Sequence, residues 1–422
     1  MNENNFGELA FFGGTPVRTK TFPAWPHFES EEIEAAAAVL RSGRVNYWTG
    51  EEGRLFEQEF ATIAQRSHAV AVANGSVGLE LALYALRIGL GDEVIVTSRS
   101  FIASASSIVL RGAVAVFADV DRDSQNITAD TIKAVISPRT RAIIVVHLAG
   151  WPCEMDAINA LAREHGLFVI EDCAQAHGAA YKDRPVGSYG DIAVFSFCQD
   201  KIMSTGGEGG MVVTNDPMLW EKVWSFKDHG KNFQRMSEAH SSGGFRWVHD
   251  NIGTNLRMTE MQSAIGRVLA RRLWRSVESR RQNAATLSAE FAAIPGLRVT
   301  TPGNDVYHSY YKYYVFVQTE KLSDDWNRDR VVDAIRAEGV PCYSGSCSEI
   351  YQEKAFSRLA PGHARLPVAK ELGENSLMFL VHPTLTGDDI ADTGTAVRKV
   401  MARAVRAKRV WFVAEPSVQN VV

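Results

Sequence analysis

Residues 167–215 read LFVIEDCAQAHGAAYKDRPVGSYGDIAVFSFCQDKIMSTGGEGGMVVTN, and the fold follows from how this stretch is parsed. An apolar run at 167–170 delivers Glu171 and Asp172 at its end. A second run, 192–197, leads onto a turn rich in Gly and Ser that carries Lys201. Each run is short, β-branched or aromatic, and bounded by Gly or polar residues, which is the pattern of a buried strand. In open α/β sheets, ligands sit outside the carboxyl ends of the strands. An acid and a lysine delivered at two such ends can therefore meet over one ligand.

A lysine forms a Schiff base with an aldehyde, and pyridoxal phosphate is the common aldehyde cofactor. Its pyridine nitrogen must stay protonated to draw electrons, and a neighbouring carboxylate keeps it so. Asp172 and Lys201 suit those two jobs. Standing alone, an N-capping aspartate and a solvated lysine would fit the same spacing.

Outward from the stretch, strand candidates fall at 68–73, 93–97, 114–118, 142–147, 167–171, 192–197 and 211–214. Helical stretches at 78–88, 129–135 and 155–164 fall between them. Such alternation argues for βαβ units and a mostly parallel sheet, an α/β large domain. Upstream lies an arm punctuated by Pro and Gly, then a helix at 31–41 with Ser30 as its N-cap. The turn GRVNYWTG, 43–50, precedes a second helix at 53–65.

Downstream, 228–253 is polar and carries His229, His240 and His249 without ligand spacing, as expected of a mobile loop. A long helix at 258–281 gathers Arg271, Arg272, Arg275, Arg280 and Arg281, with a charged solvent face as the default and a partner or pyrophosphate contact as the alternative. The remainder reads as a smaller α/β domain, with an alternating strand at 308–318 and helices at 326–338 and 388–404. The expected division is 1–285 and 286–422.

The chain has 422 residues, enough for a large domain plus a smaller one. Lys plus Arg number 45 against 49 Asp plus Glu, so there is no electrostatic footprint for nucleic acid or an anionic membrane. No apolar run reaches the length of a membrane span, and MNENNFGELAFF lacks the marks of a signal peptide. The five cysteines are scattered without CxxC spacing, which fits free thiols in a cytoplasmic enzyme and no metal site.

Several segments carry a resemblance beyond these patterns. They are NGSVGLELAL (74–83), SFIASASSIV (100–109), VVHLAG (145–150), IEDCAQAHGA (170–179), GSYGDIAVFSF (187–197), GGEGGMVVTND (206–216), GTNLRMTEMQSAIG (253–266) and LVHPTLT (380–386). In this order the chain resembles the DegT-type sugar nucleotide aminotransferases, pyridoxal-phosphate enzymes of the aspartate-aminotransferase-like fold type I. The resemblance implies a seven-stranded, mostly parallel sheet and a homodimer whose active sites draw on both subunits. It implies that Lys201 carries the cofactor and Asp172 pairs with its ring nitrogen. Gly75, Ser76 and Ser196 would hold the phosphate, Asn255 would reach the phosphate of the neighbouring subunit, Phe101 would stack on the ring, and Gln175 would touch its phenolic side. His177 is left between a residue that orients Asp172 and an ordinary interior imidazole.

The implied substrates are a nucleotide-linked keto sugar and an amino donor, L-glutamate. Tyr47 and Thr49 on the 43–50 turn, and Tyr343, Ser344 and Ser346 in a variable stretch, are the candidates for touching substrate, an ordinary packed turn being the alternative for the first two. Relatives that dehydrate sugars carry His where this chain keeps Lys201. Cys198-Gln199-Asp200, where many relatives have a trio such as His-Pro-Thr, is read as loop variation. An enzyme acting on a carbocyclic ketone (an inosose-type aminotransferase or a 3-amino-5-hydroxybenzoate synthase) and a non-catalytic cofactor-binding regulator are the alternatives. The retained lysine and the GEGG loop speak against the regulator.

Overall fold

The computed structural model of the protein describes residues 7–238, 245–359, 362 and 364–406. His240 of the expected mobile loop lies outside the described residues. The large sheet has seven strands: β1 (His68–Val72), β2 (Glu93–Thr97), β3 (Val114–Ala118), β4 (Thr140–Val146), β5 (Phe168–Asp172), β6 (Ile192–Ser196) and β7 (Gly210–Thr214). Their order is β1-β7-β6-β5-β4-β2-β3. All neighbours pair in parallel except β7, which runs antiparallel to both β1 and β6. The Val/Ile-rich strands are buried along nearly their whole length because helices cover both faces of the sheet.

Helices α1 (Ser30–Ser42), α2 (Glu52–Ile63), α3 (Gly75–Ala85) and α4 (Ala103–Leu110) precede and interleave the first strands. At α1 the N-cap is Glu29 and not Ser30, because the Glu32 carboxylate accepts from the Glu29 N–H at 2.7 Å. Helix α3 starts three residues before its expected onset at 78, since the Asn74 side chain accepts from the Val77 N–H at 3.0 Å and caps it early.

A three-stranded antiparallel sheet, Leu297–Arg298, Tyr313–Val317 and Ser376–Phe379, forms the second unit with helices Arg328–Ala337 and Gly387–Ala404. The expected strand at 308–318 is only Tyr313–Val317, and all five residues are buried, so the apparent alternation did not mark an exposed face. The long helix Glu260–Ala292 runs through the expected boundary at 285. The N-terminal arm, expected with the large domain, packs on the second unit: Leu9 joins its apolar cluster, and Arg18 pairs with Asp389 at 2.6 Å.

Glu338 ties that arm down. Its fully buried carboxylate accepts from the N–H groups of Ala10 (2.9 Å) and Val17 (3.0 Å) and from Lys399 Nζ (2.8 Å). Glu338→Ala leaves the Lys399 charge buried without its counter-ion, a class of change that costs about 3–5 kcal/mol. The expected outcome is a clear fall in thermal midpoint, while Glu338→Gln, which keeps one acceptor, falls less. Equal midpoints for wild type and Glu338→Ala would sink this account.

The 345–353 segment is sewn to the large sheet, with Ser100 N–H donating to Cys347 O (3.1 Å) and Ile350 N–H to Ser98 O (3.0 Å). That seam closes one wall of a cleft lined from the carboxyl ends of β1, β2, β5 and β6.

Candidate active site

The cleft has a volume of about 990 Å³ and is lined from four directions: the Asn74–Ser76 turn, the 100–104 turn, the ends of β5 and β6 with Lys201, and the 311–312 and 345–347 segments.

Asp172 is the last residue of β5, and the two-residue period of a strand separates it from Glu171. Asp172 lines the cleft, whereas Glu171 points the other way. Glu171 accepts from the N–H groups of Gly187 (2.7 Å), Tyr189 (2.7 Å) and Gly190 (2.6 Å), and lies 3.1 Å from His147 Nε2. His147, Glu171 and Cys173 bring donor atoms within 4.8 Å of one another, but these hydrogen bonds account for the cluster as a brace beneath the sheet.

Asp172 is 4% exposed. Its two oxygens accept from Ser104 Oγ at 2.7 Å and from the Ala174 N–H at 3.1 Å. Burial pushes its carboxyl above the usual range, and the Ser104 and Ala174 hydrogen bonds and the Lys201 charge only partly offset that. A cation placed against it from the cleft would reverse the balance.

Lys201 sits on the turn after β6 with its side chain only 14% exposed. Its backbone carbonyl accepts from Trp25 Nε1 at 2.9 Å, and its N–H donates to Cys198 O at 3.0 Å, so the turn is held from both sides. The Nζ donates to Tyr311 OH at 3.4 Å and lies 3.6 Å from Asp200 Oδ1. The Tyr311 hydroxyl in turn donates to Asp200 Oδ2. Lys312, next to Tyr311, also lines the cleft, with its Nζ 4.7 Å from the Tyr311 ring centroid. Burial lowers Lys312 to about 8 against the opposing pull of Asp200.

The Asn74–Ser76 turn presents the first N–H groups of α3, which have no partner within the helix, together with the positive end of its dipole. Gly75 is required by close approach: a Cβ there would stand 2.7 Å from Ser196 Cβ. Gly75→Ala is therefore expected to destabilise the protein by about 1–3 kcal/mol and to weaken retention of a phosphate-bearing ligand. Thermal melts with and without pyridoxal phosphate check both effects, and an unchanged melt would show that the turn yields freely.

Phe101 is 65% exposed at the cleft mouth, so it is not a core phenylalanine. Gln175 lines the cleft, and its Oε1 accepts from the Ala149 N–H at 2.9 Å. Ser196 lines the floor, with its Oγ accepting from the Cys198 N–H at 3.3 Å. His177 does not orient Asp172. It is buried with its ring centroid 5.5 Å from Phe195 and 5.6 Å from Phe197, and burial lowers it to about 3, so it is neutral.

Other expected site residues lie elsewhere in the chain's own fold. Tyr343 is engaged in backbone pairing with Met378, and Ser344 O accepts from Ser376 Oγ at 2.7 Å; neither lines the cleft. Of the three residues named in this stretch Ser346 lines the cleft, together with Cys347, because the Tyr343 bridge carries the chain onward before it turns inward. Tyr47 is buried away from the cleft, donating to Glu57 Oε2 at 3.0 Å, and Thr49 is exposed with its Oγ1 donating to Asn46 O at 3.1 Å. Asn255 is exposed outside the cleft.

The arginine run is not a plain solvated face. Arg271 and Arg272 pair with Glu29, Glu31 and Glu32 of the α1 region. Arg280 is 2% exposed beneath Tyr311, donating to its carbonyl at 3.3 Å. Ser104, Asp200, Tyr311 and Lys312 are the site residues that sequence reading passed over. Asp200 alone carried a signal, as a departure from the family pattern directly before the lysine.

With this geometry in hand, three comparisons bear on identity. An aminotransferase of Psychrobacter cryohalolentis, solved by X-ray crystallography, superposes with a TM-score of 0.89 at 53% identity, covering 91% of this chain and 99% of that one. A UDP-N-acetyl-3-dehydro-alpha-D-glucosamine 3-aminotransferase of Acidithiobacillus ferrooxidans is 38% identical over 83% of this chain and 89% of the relative. An L-glutamine:2-deoxy-scyllo-inosose aminotransferase of Streptomyces kanamyceticus is 35% identical over 94% of this chain and 98% of the relative. The model of the DegT/DnrJ/EryC1/StrS aminotransferase family matches residues 26–398. The chain therefore belongs to that family of pyridoxal-phosphate-dependent sugar aminotransferases, of fold type I.

Proposed function

We propose that this enzyme transfers an amino group from L-glutamate to a keto sugar carried on a nucleotide. The observation that carries the reading is a single cleft lined by both Lys201 and Asp172, with the N-terminus of α3 opening into the same space. The residues fit pyridoxal phosphate on three counts. The Asp172 carboxylate is buried yet faces the cleft, the Gly75 cradle is one that a Cβ would fill, and the lysine reaches in from a clamped turn.

When bound, the cofactor supplies a carbonyl carbon that exchanges amines and a ring that draws electrons from them. With the cofactor bound, Asp172 would hold positive charge at the ring nitrogen, Gly75, Ser76 and Ser196 would hold the phosphate, Gln175 would steady its phenolic side, and Phe101 at the cleft mouth would stack on the ring and limit water. Lys201 Nζ would hold the cofactor and would take up the proton of the donor's Cα as general base. Lys312 offers an ammonium to the carboxylate of the donor. Asn255 and Thr49, exposed outside the protomer's own cleft, are assigned to the site of a second copy in a homodimer, whereas Tyr47 is a packed residue of its own turn. Substrate contacts pass from Tyr343 and Ser344 to Ser346.

A carbocyclic ketone is the second reading, favoured by the near-full-length match to the inosose aminotransferase. One experiment separates them. The purified enzyme is offered nucleotide keto sugars with different nucleotides, and cyclic ketones, and is scored for ketone-dependent formation of 2-oxoglutarate from glutamate. Turnover with cyclic ketones alone would reverse the assignment. Turnover with none, including the reverse reaction from amino sugars, would sink it.

A further inference from the structure

Lys201 does not face the cleft with Asp172 as its sole anionic neighbour. Asp200, on the same turn, is the carboxylate within 4.0 Å of its Nζ among the described residues, at 3.6 Å. Asp172 is already committed to Ser104 and Ala174. Between Asp200 and the lysine stands the Tyr311 hydroxyl, which accepts from Lys201 Nζ and donates to Asp200.

Tyr311 is itself rigidly placed. Its N–H donates to Ala149 O at 2.8 Å, and its carbonyl accepts from Arg280. Gly150 adopts φ +93°, and a Cβ on it would stand 2.5 Å from Ser309 Oγ, so the loop after β4 and the 308–311 segment meet without room for a side chain. A tyrosine from a segment distant in sequence is thus pinned against the cofactor turn.

We propose that Asp200 is a positioning residue for Lys201, acting through the Tyr311 hydroxyl to favour the charged form of the lysine nitrogen. This rests on the reading of Lys201 as the cofactor lysine. The groups that face this nitrogen are Asp172 from β5, His177 from the turn after it, Asp200 on its own turn, and Tyr311 and Lys312 from the segment before Tyr313–Val317; Arg280 from the long helix acts on Asp200 and Tyr311, and Glu208 and Glu353 also line the cleft. Lys312 and Arg280 are cations and His177 is neutral, so Asp200 is the group that offsets them beside the lysine. Its own titration agrees: burial would raise the carboxyl, but the Lys201 charge and the Tyr311 hydrogen bond hold it below the usual range. Burial and the Asp200 charge push the Tyr311 phenol far up, so it remains a proton-bearing donor.

The test is a spectroscopic titration of the pyridoxal-phosphate-loaded enzyme, following the visible absorbance of the lysine-linked cofactor as pH rises. Asp200→Asn should lower the midpoint by about one unit, the low end for a charge at this distance because the side chain is half-exposed. Asp200→Glu should restore most of it. Tyr311→Phe should shift in the same direction, and the double variant no further than the larger single. Borohydride labelling of Lys201 in the wild type accompanies the titration. A labelled enzyme whose midpoint is unmoved by Asp200→Asn overturns this inference alone, as do fully additive shifts, which would mean that Asp200 acts without Tyr311. No label at Lys201 overturns the cofactor reading and this inference with it.

Discussion

Replacing Lys201 with alanine is expected to abolish amino transfer, with turnover at least ~10⁴-fold below wild type. General acid–base catalysis by one positioned side chain contributes about 10²–10⁴-fold. Lys201 is assigned both the covalent anchorage and the proton transfer at the donor's Cα, so its loss belongs at or beyond that upper end. The fold should survive, because the turn is held through the Lys201 backbone by Trp25 and Cys198 and not through the amine. The measurement pairs a glutamate-dependent transfer assay with borohydride reduction: wild type retains covalent cofactor after denaturation and Lys201→Ala does not. Full activity in a variant that melts like wild type would overturn the assignment at its root.

Asp172→Asn should cost nearly as much, by a different route. A charge pair about 4 Å apart in a protein-like medium is worth about 4 kcal/mol, or ~10³-fold in rate if it is needed in the transition state. Asparagine keeps the shape and can still accept from Ser104 or Ala174, so packing is preserved while the charge is lost. The pH dependence gives a second check. Burial raises the Asp172 carboxyl in the cofactor-free fold above its unfolded value. Ionising it therefore destabilises that fold as pH rises from the ordinary carboxylate range through the raised value, and the neutral amide escapes this. At neutral pH the cofactor-free Asp172→Asn protein should melt no lower than wild type, whereas added pyridoxal phosphate should raise the wild-type midpoint more. A variant that melts lower without cofactor, or keeps wild-type turnover, contradicts the role.

The seven strands and three of the helices between them were legible because each rests on local information. Short apolar runs between Gly and polar residues report burial, and their alternation with helices limits the topology to a wound parallel sheet. Errors gathered where local and tertiary forces compete. The onset of α3 moved to Gly75 because a side-chain cap outweighs the apolar period. Arg280 looked like its exposed neighbours in sequence, yet Trp25 and Tyr311 close over it. The variable 341–356 stretch offered several hydroxyls, and only backbone pairing of Tyr343 with Met378 decides which of them turn inward.

By itself, the sequence determined the fold class, the acid at the end of one strand and the lysine on the turn after the next, since chain order along parallel strands brings those two ends to one edge of the sheet. Only the tertiary structure decided what surrounds them. Ser104 under Asp172, and Tyr311 and Lys312 beside Lys201, arrive from segments far away in the chain, the first placed by the packing of α4 on the large sheet and the others by the segment leading into the second unit. The meaning of Asp200 was hidden for the same reason: a carboxylate on a turn is indifferent until a distant hydroxyl is pinned against it.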